Sequence, residues 1–229
     1  FNIIPVSGDR DFSFKSQVTS GSGSADHGLV LLPDGKVVVG STENGAFILK
    51  RLNADGSPDP SFVNAFQTAQ VRVSFQGVAA LRAIALAPDG DIVAVGTVTQ
   101  SNDVSTSKIA VAKINPDGSL DTTFGRTKII NLFTSEGRAV TVTSSGQILI
   151  AGQSAGDALS SSTLQAQATI LMHCVVVALK PDGSFDSSFS GDGISAVRAD
   201  SSGFGQTSDG CNAVALAPNN LIVVGGVSV

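Results

Sequence analysis

Residues 150–156 read IAGQSAG, and Gly152-Gln153-Ser154-Ala155-Gly156 fits the G-x-S-x-G pattern of a hydrolase nucleophile elbow. In that chemistry Ser154 attacks a carbonyl, a histidine takes its proton and a carboxylate orients the histidine. Asp157 and His173 follow in the order such hydrolases use. An elbow, however, needs a strand, a sharp turn and then a helix. The run QILIAG before Ser154 instead repeats segments that carry no serine in this place, such as DIVAVG at 91–96. The expectation is therefore a Gly/Ser loop, and no catalytic residue is assigned.

Two other patterns have the look of metal chemistry. In NPDGSLD (115–121), Asn115, Asp117, Ser119 and Asp121 alternate as in a calcium loop, but no Glu completes a twelve-residue set, and the copy at 180–186 begins with Lys180. Asp side chains that cap their own turns are the simpler expectation. Cys174 and Cys211, with His27 and His173 isolated from them, make no zinc set. Two free buried thiols are expected, with a bridge between neighbouring repeats as the alternative. No metal or cofactor is expected.

The elements that must position any site are repeats. GLVLLPDGKVVVG (28–40), AIALAPDGDIVAVG (83–96), AVTVTSSGQILIAG (139–152) and AVALAPNNLIVVGG (213–226) each read as two strands and a tight turn. FILKRLNADGSPDPSF (47–62), IAVAKINPDGSLDTTF (109–124) and VVVALKPDGSFDSSF (175–189) supply a third strand, with FNIIPVSGDRDFSF (1–14) as a divergent copy. A fourth short run follows each: QVTS (17–20), VRVSF (71–75), KIINLF (128–133) and ISAV (194–197). Asp-Gly pairs suit hairpin turns because Gly supplies φ > 0. Strands apolar on both faces, such as AIALA, must be covered on both sides, which radial stacking of four-stranded sheets achieves. The fold expected is an all-β β-propeller, four blades of four antiparallel strands in one domain over 1–229. Blade A covers 25–75, blade B 80–133 and blade C 137–197; the fourth blade is split, 210–229 plus 1–20, so that strands from the two ends of the sequence close the ring. Phe14, Phe62, Phe124 and Phe189 recur in register and should fill the space between blades.

Aligning the repeats brings out a candidate site. Six residues before the first turn of each blade the innermost strand carries His27, Arg82, Arg138 and Asn212, followed on the same face by apolar pairs such as Ile84 and Leu86. These four should form a polar ring at one mouth of the central channel, with Asp26, Glu136 and Asp209 close by. Arg82 and Arg138 would anchor a polar or anionic ligand. Local hydrogen bonding where each strand ends in solvent is the plainer reading. The variable segments 97–107, 153–169 and 196–210 belong to that same mouth, and repeat proteins commonly bind through the face that carries their insertions.

The PDGSLDTTFG and ALAPDGDIVAVG stretches resemble the delta-60 repeat family, a β-propeller-like repeat of large bacterial surface and secreted proteins. The resemblance covers nearly the whole chain. Blade C departs from it with TSSG and a long insertion, and the split blade with PNN and GDRDFSF. It implies the fold and an extracellular setting, and carries no catalytic residues.

Bulk composition bounds the rest. The chain of 229 residues is 42% hydrophobic and 14% charged, enough to bury a real core. A formal charge of −5 gives no general attraction to nucleic acid or anionic lipid. The longest apolar stretch, 168–179, is too short to span a bilayer. The sequence begins at Phe1 and Met172 is its one methionine, so secretion with a cleaved leader is expected, to the medium or the cell surface. The function expected is a non-enzymatic extracellular binding scaffold that meets a protein partner through the variable-loop face and channel mouth. A glycan or a small polar or anionic ligand is the alternative partner. A lectin is weakened by the absence of Trp and Tyr, which leaves Phe204 as the exposed aromatic; a hydrolase or lyase at the channel mouth lacks paired carboxylates. A monomer is expected, with a homodimer sharing an eight-bladed ring as the alternative.

Overall fold

The structure, a computed structural model, describes residues 26–62, 70–100, 107–155, 172–197, 209–219 and 221–228. Fourteen strands and no helix occur among them. Blade A holds β1 (Asp26–Leu31), β2 (Val37–Glu43), β3 (Ala46–Leu52) and β4 (Val71–Val73). Blade B holds β5 (Val78–Leu86), β6 (Ile92–Thr99), β7 (Ser107–Ile114) and β8 (Thr127–Ile130). Blade C holds β9 (Ser135–Val142), β10 (Ile148–Ala155), β11 (Met172–Leu179) and β12 (Ile194–Val197), and blade D contributes β13 (Asp209–Leu216) and β14 (Ile222–Ser228). Blades A to C are antiparallel meanders in sequence order, and β13 pairs with β14 as a hairpin. The expected all-β blade architecture is therefore present. The strands expected within 1–20 to complete blade D and close the ring lie outside the described residues, as does Phe14.

The turns form for the reason their sequences suggest. Gly35, Gly90 and Gly146 all have φ between 83° and 90°, where a side chain would be strained, and each donates its N–H to the carbonyl three residues back. Asp117 Oδ1 accepts from both the backbone N–H and the hydroxyl of Ser119, and Asp55 with Ser57 and Asp182 with Ser184 repeat the arrangement. These are the self-capping Asp turns expected from the repeat.

Alternation assigns each strand one face per neighbouring blade. Val38, Phe47 and Leu49 of blade A meet Leu81, Ile84 and Ala110 of blade B in one core. Val93, Val95, Ile109 and Val111, on the other face of blade B, meet Ile148, Ile150, Val175 and Val177 of blade C. Each such fully buried aliphatic side chain contributes about 1.5–3 kcal/mol. Phe62 lies in the first core and Phe124 in the second, as expected of inter-blade fillers, whereas Phe189 is partly exposed. The outward faces of the first and last blades differ: Leu31 is 66% and Val223 54% exposed, although Val93, which is equivalent to Val223, is fully buried.

Ala151, Cys174 and Cys211 form a third contact, between blades C and D. Here the expectation of free thiols is wrong. Cys174 and Cys211 form a disulfide, with Cα atoms 4.9 Å apart and a separation of 37 positions in sequence. Stacking of blade D on blade C puts the first half of β13 beside the first half of β11, within bridging distance.

Candidate functional site

The four ring positions share a backbone feature. The pairing of β1 with β2 slips between Asp26 and Gly28, that of β5 with β6 between Leu81 and Ala83, that of β9 with β10 around Arg138, and that of β13 with β14 between Cys211 and Ala213. His27, Arg82, Arg138 and Asn212 are thus each the extra residue of a β-bulge, which re-aims a side chain out of the ladder. In blades B, C and D the strands extend beyond these residues, β5 beginning four residues before Arg82, whereas β1 begins one residue before His27. The bulges also explain the glycines of the second strands. A Cβ at Gly96 would run into the Ala80 carbonyl oxygen, one at Gly152 into that of Glu136, and one at Gly226 into that of Gly210. Blade A carries Ser41 at this position.

Arg138 and Asn212 are brought together. Arg138 Nη1 donates to Asn212 Oδ1 at 2.9 Å across the boundary between blades C and D. Arg138 Nε and Nη2 donate to Glu136 Oε2 at 3.3 and 3.1 Å, and Gln153 Nε2 donates to the same oxygen at 3.3 Å. Gln153, which sequence reasoning missed, stands opposite both Glu136 and Cys174 in the ladder, so the disulfide lies beside this cluster. Asp209 is buried at the start of β13, opposite Ser228. Arg82 is exposed and has no hydrogen-bond or ion-pair partner among the described residues. The side chains of Asp26 and His27 lie outside the described residues, as do Phe204, Asp157 and most of the variable segments. Chemically, Arg138 is committed to its neighbours, while Arg82 offers a guanidinium fork that no described residue engages.

Ser154 is no elbow, and it is not in a loop either. Gly152 to Ala155 continue β10, and Ser154 is 2% exposed, paired with Ser135 on one side and His173 on the other. A nucleophile placed so has no room for a substrate carbonyl.

At the opposite end of the blades lies an ionic layer that the sequence reading also missed. Lys113 Nζ is 2.9 Å from Asp89 and Asp91 and 3.2 Å from Asp121. In blade A, Arg51 and Lys36 both sit 2.8 Å from Asp59, and Arg51 also donates to Ser61 Oγ and to the Pro116 carbonyl of blade B. Burial disfavours the charge on Lys113, but its three carboxylates outweigh that and raise its pKa. Burial also opposes ionisation of Asp59 and Asp121. Hydrogen bonds from Lys36, Ser61 and Arg51 hold Asp59 well below the usual range, and those from Thr123 and Lys113 hold Asp121 at about 2. Burial pushes Asp91 up. In blade C the cation position is Ala178, and Gln147 donates to Asp186 instead. The signal was a basic residue near the end of an otherwise apolar strand, two before the Asn of N-x-D-G: Arg51 before Asn53 and Lys113 before Asn115.

A family model described as "Domain of unknown function (DUF5122) beta-propeller" matches residues 32–62 and 87–124. These segments contain the turn, ionic-layer and phenylalanine positions of blades A and B. No curated protein matches the chain. Among solved structures, a protein of unknown function from Bacteroides caccae is 13% identical, with 79% of this chain and 75% of that one covered and a TM-score of 0.39. Hydrazine synthase of Kuenenia stuttgartiensis is 14% identical, with 87% and 61% covered and a TM-score of 0.45. Virginiamycin B lyase of Staphylococcus aureus is 11% identical, with 88% and 84% covered and a TM-score of 0.26. At these similarities no substrate or mechanism carries over to this chain.

Proposed function

We propose that this chain is a non-enzymatic extracellular binding scaffold of the delta-60 repeat type, which meets an acidic protein surface through the bulge end of its blades. The observation that supports this most directly is Arg82. It is exposed on a bulge without a partner among the described residues, whereas at the other end Lys113 is buried among three carboxylates and Arg51 is buried against Asp59. An unpaired guanidinium gives a bidentate contact to a carboxylate without first breaking an internal bond. The Cys174–Cys211 disulfide supports an oxidising compartment.

The test is affinity capture from the extracellular fluid of the producing organism. The bait would be the unaltered protein, Arg82→Glu, or Asp117→Asn as a control at the opposite end. The expected result is one partner retained by the unaltered protein and by Asp117→Asn and lost by Arg82→Glu. Equal retention by all three would overturn the assignment of this face.

A further inference from the structure

Ser135, Ser154 and His173 occupy one row across blade C. They share the face of Gly137, Val175 and Ile150, which is turned toward blade B. On blade B, Thr97, Thr99 and Ser107 continue the face of Val95 and Ile109 that is turned toward blade C. The two sets stand at the same level. A Cβ on Gly137 would lie 2.6 Å from Val95 and 3.0 Å from Ile109. Two residues back along β9 is Ser135; two forward along β6 is Thr97, and two back along β7 is Ser107. The apolar core between blades B and C therefore gives way, at the bulge end, to a layer made of hydroxyls and one imidazole.

Among the described residues that layer is only partly satisfied. Thr99 Oγ1 and Ser107 Oγ bond each other at 3.1 Å. Thr97 Oγ1, Ser135 Oγ and His173 Nδ1, however, are buried without a hydrogen-bond partner among the described residues. Thr97 is 8% exposed and Ser135 fully buried. A lone buried hydroxyl costs about 1–3 kcal/mol, and three such polar atoms belong to side chains on the faces that line this one seam. No Lys, Arg, Asp or Glu shares these rows among the described residues, so a charged ligand would find no counter-charge there. A hydroxyl oxygen both donates and accepts, and so can serve two hydroxyls and an imidazole nitrogen in either tautomer.

We propose that the seam between blades B and C is a binding site for a neutral hydroxyl-bearing molecule, held by Thr97, Ser135 and His173. Two sources supply that chemistry: internal water and the hydroxyl of a small polyol.

The test uses Thr97→Val and Ser135→Ala, which keep shape and remove one hydroxyl each, with Thr97→Ser as the conservative control. In a dry seam, deleting an unsatisfied hydroxyl leaves Tm unchanged or raises it. In an occupied one it strands the bound oxygen, and Tm falls by about 2–4 °C per variant, with Thr97→Ser recovering most of the loss. Titration with glucose and with glycerol, followed by the His173 ring resonances, separates the sources. A saturable shift that Thr97→Val abolishes assigns a polyol site, and a fall in Tm without such a shift assigns water. Unchanged or raised Tm in both deletion variants overturns the proposal.

Discussion

Arg138 and Asn212 lie 74 residues apart in sequence and are joined by a 2.9 Å hydrogen bond, each being the bulged residue of its own innermost strand. The bond shows that the bulges of blades C and D converge. Being exposed to solvent, it is a positioning contact more than a source of stability. Asn212→Ala should cost no more than about 1 kcal/mol in urea unfolding. It should also leave the Arg138–Glu136 pair intact.

Gly152 tolerates no side chain as the bulge stands, because a Cβ would meet the Glu136 carbonyl. Gly152→Ala should destabilise by about 1–3 kcal/mol through forced backbone displacement. A Gly225→Ala substitution, whose Cβ would sit 3.9 Å from Ala213, should be near neutral. Thermal unfolding of the two variants side by side decides this.

The Cys174–Cys211 bridge closes a loop of 37 residues between blades C and D. Chain-entropy reasoning gives it about 3–4 kcal/mol, through restriction of the unfolded chain. Reduction, or a Cys174→Ala/Cys211→Ala double variant, should lower the urea midpoint by a corresponding amount. An unchanged midpoint would show that stacking of the blades alone holds this boundary.

Lys113 is the counter-ion of three carboxylates and is itself buried. Lys113→Met should cost about 3–5 kcal/mol, because it leaves buried negative charge unpaired. Adding Asp91→Asn to that variant should recover part of the loss, since burial already disfavours the Asp91 charge. A double-mutant cycle on urea unfolding measures both.

Acid should unfold the protein in a defined window. Asp59 and Asp121 have folded pKa values below the ordinary 3.8, about 2 for Asp121. Their stabilisation is therefore complete above the unfolded value and is lost as pH falls through the folded ones. The urea midpoint should hold between about pH 7 and 5 and drop between about pH 4 and 2. Asp59→Asn with Asp121→Asn should flatten that drop. At the alkaline end Lys113, raised above 10.5, should begin to lose its contribution beyond that pH.

The local pattern of this chain was readable in one dimension. Asp-Gly turns, alternating apolar strands and a repeating Phe report backbone geometry within a few residues, so the blades, their order and the buried Phe62 and Phe124 followed from the sequence. What depended on phase did not. A bulge inserts one residue out of step, and nothing in the letters around Arg82 or Arg138 marks it except a glycine on the partner strand. The facing of Ser154 and His173 toward blade B, the bridge between Cys174 and Cys211, and the capture of Lys113 by three carboxylates all follow from which side of a strand meets which neighbour. Only the stacking of one blade on the next decides that, because a one-residue slip in register turns every side chain to the opposite face.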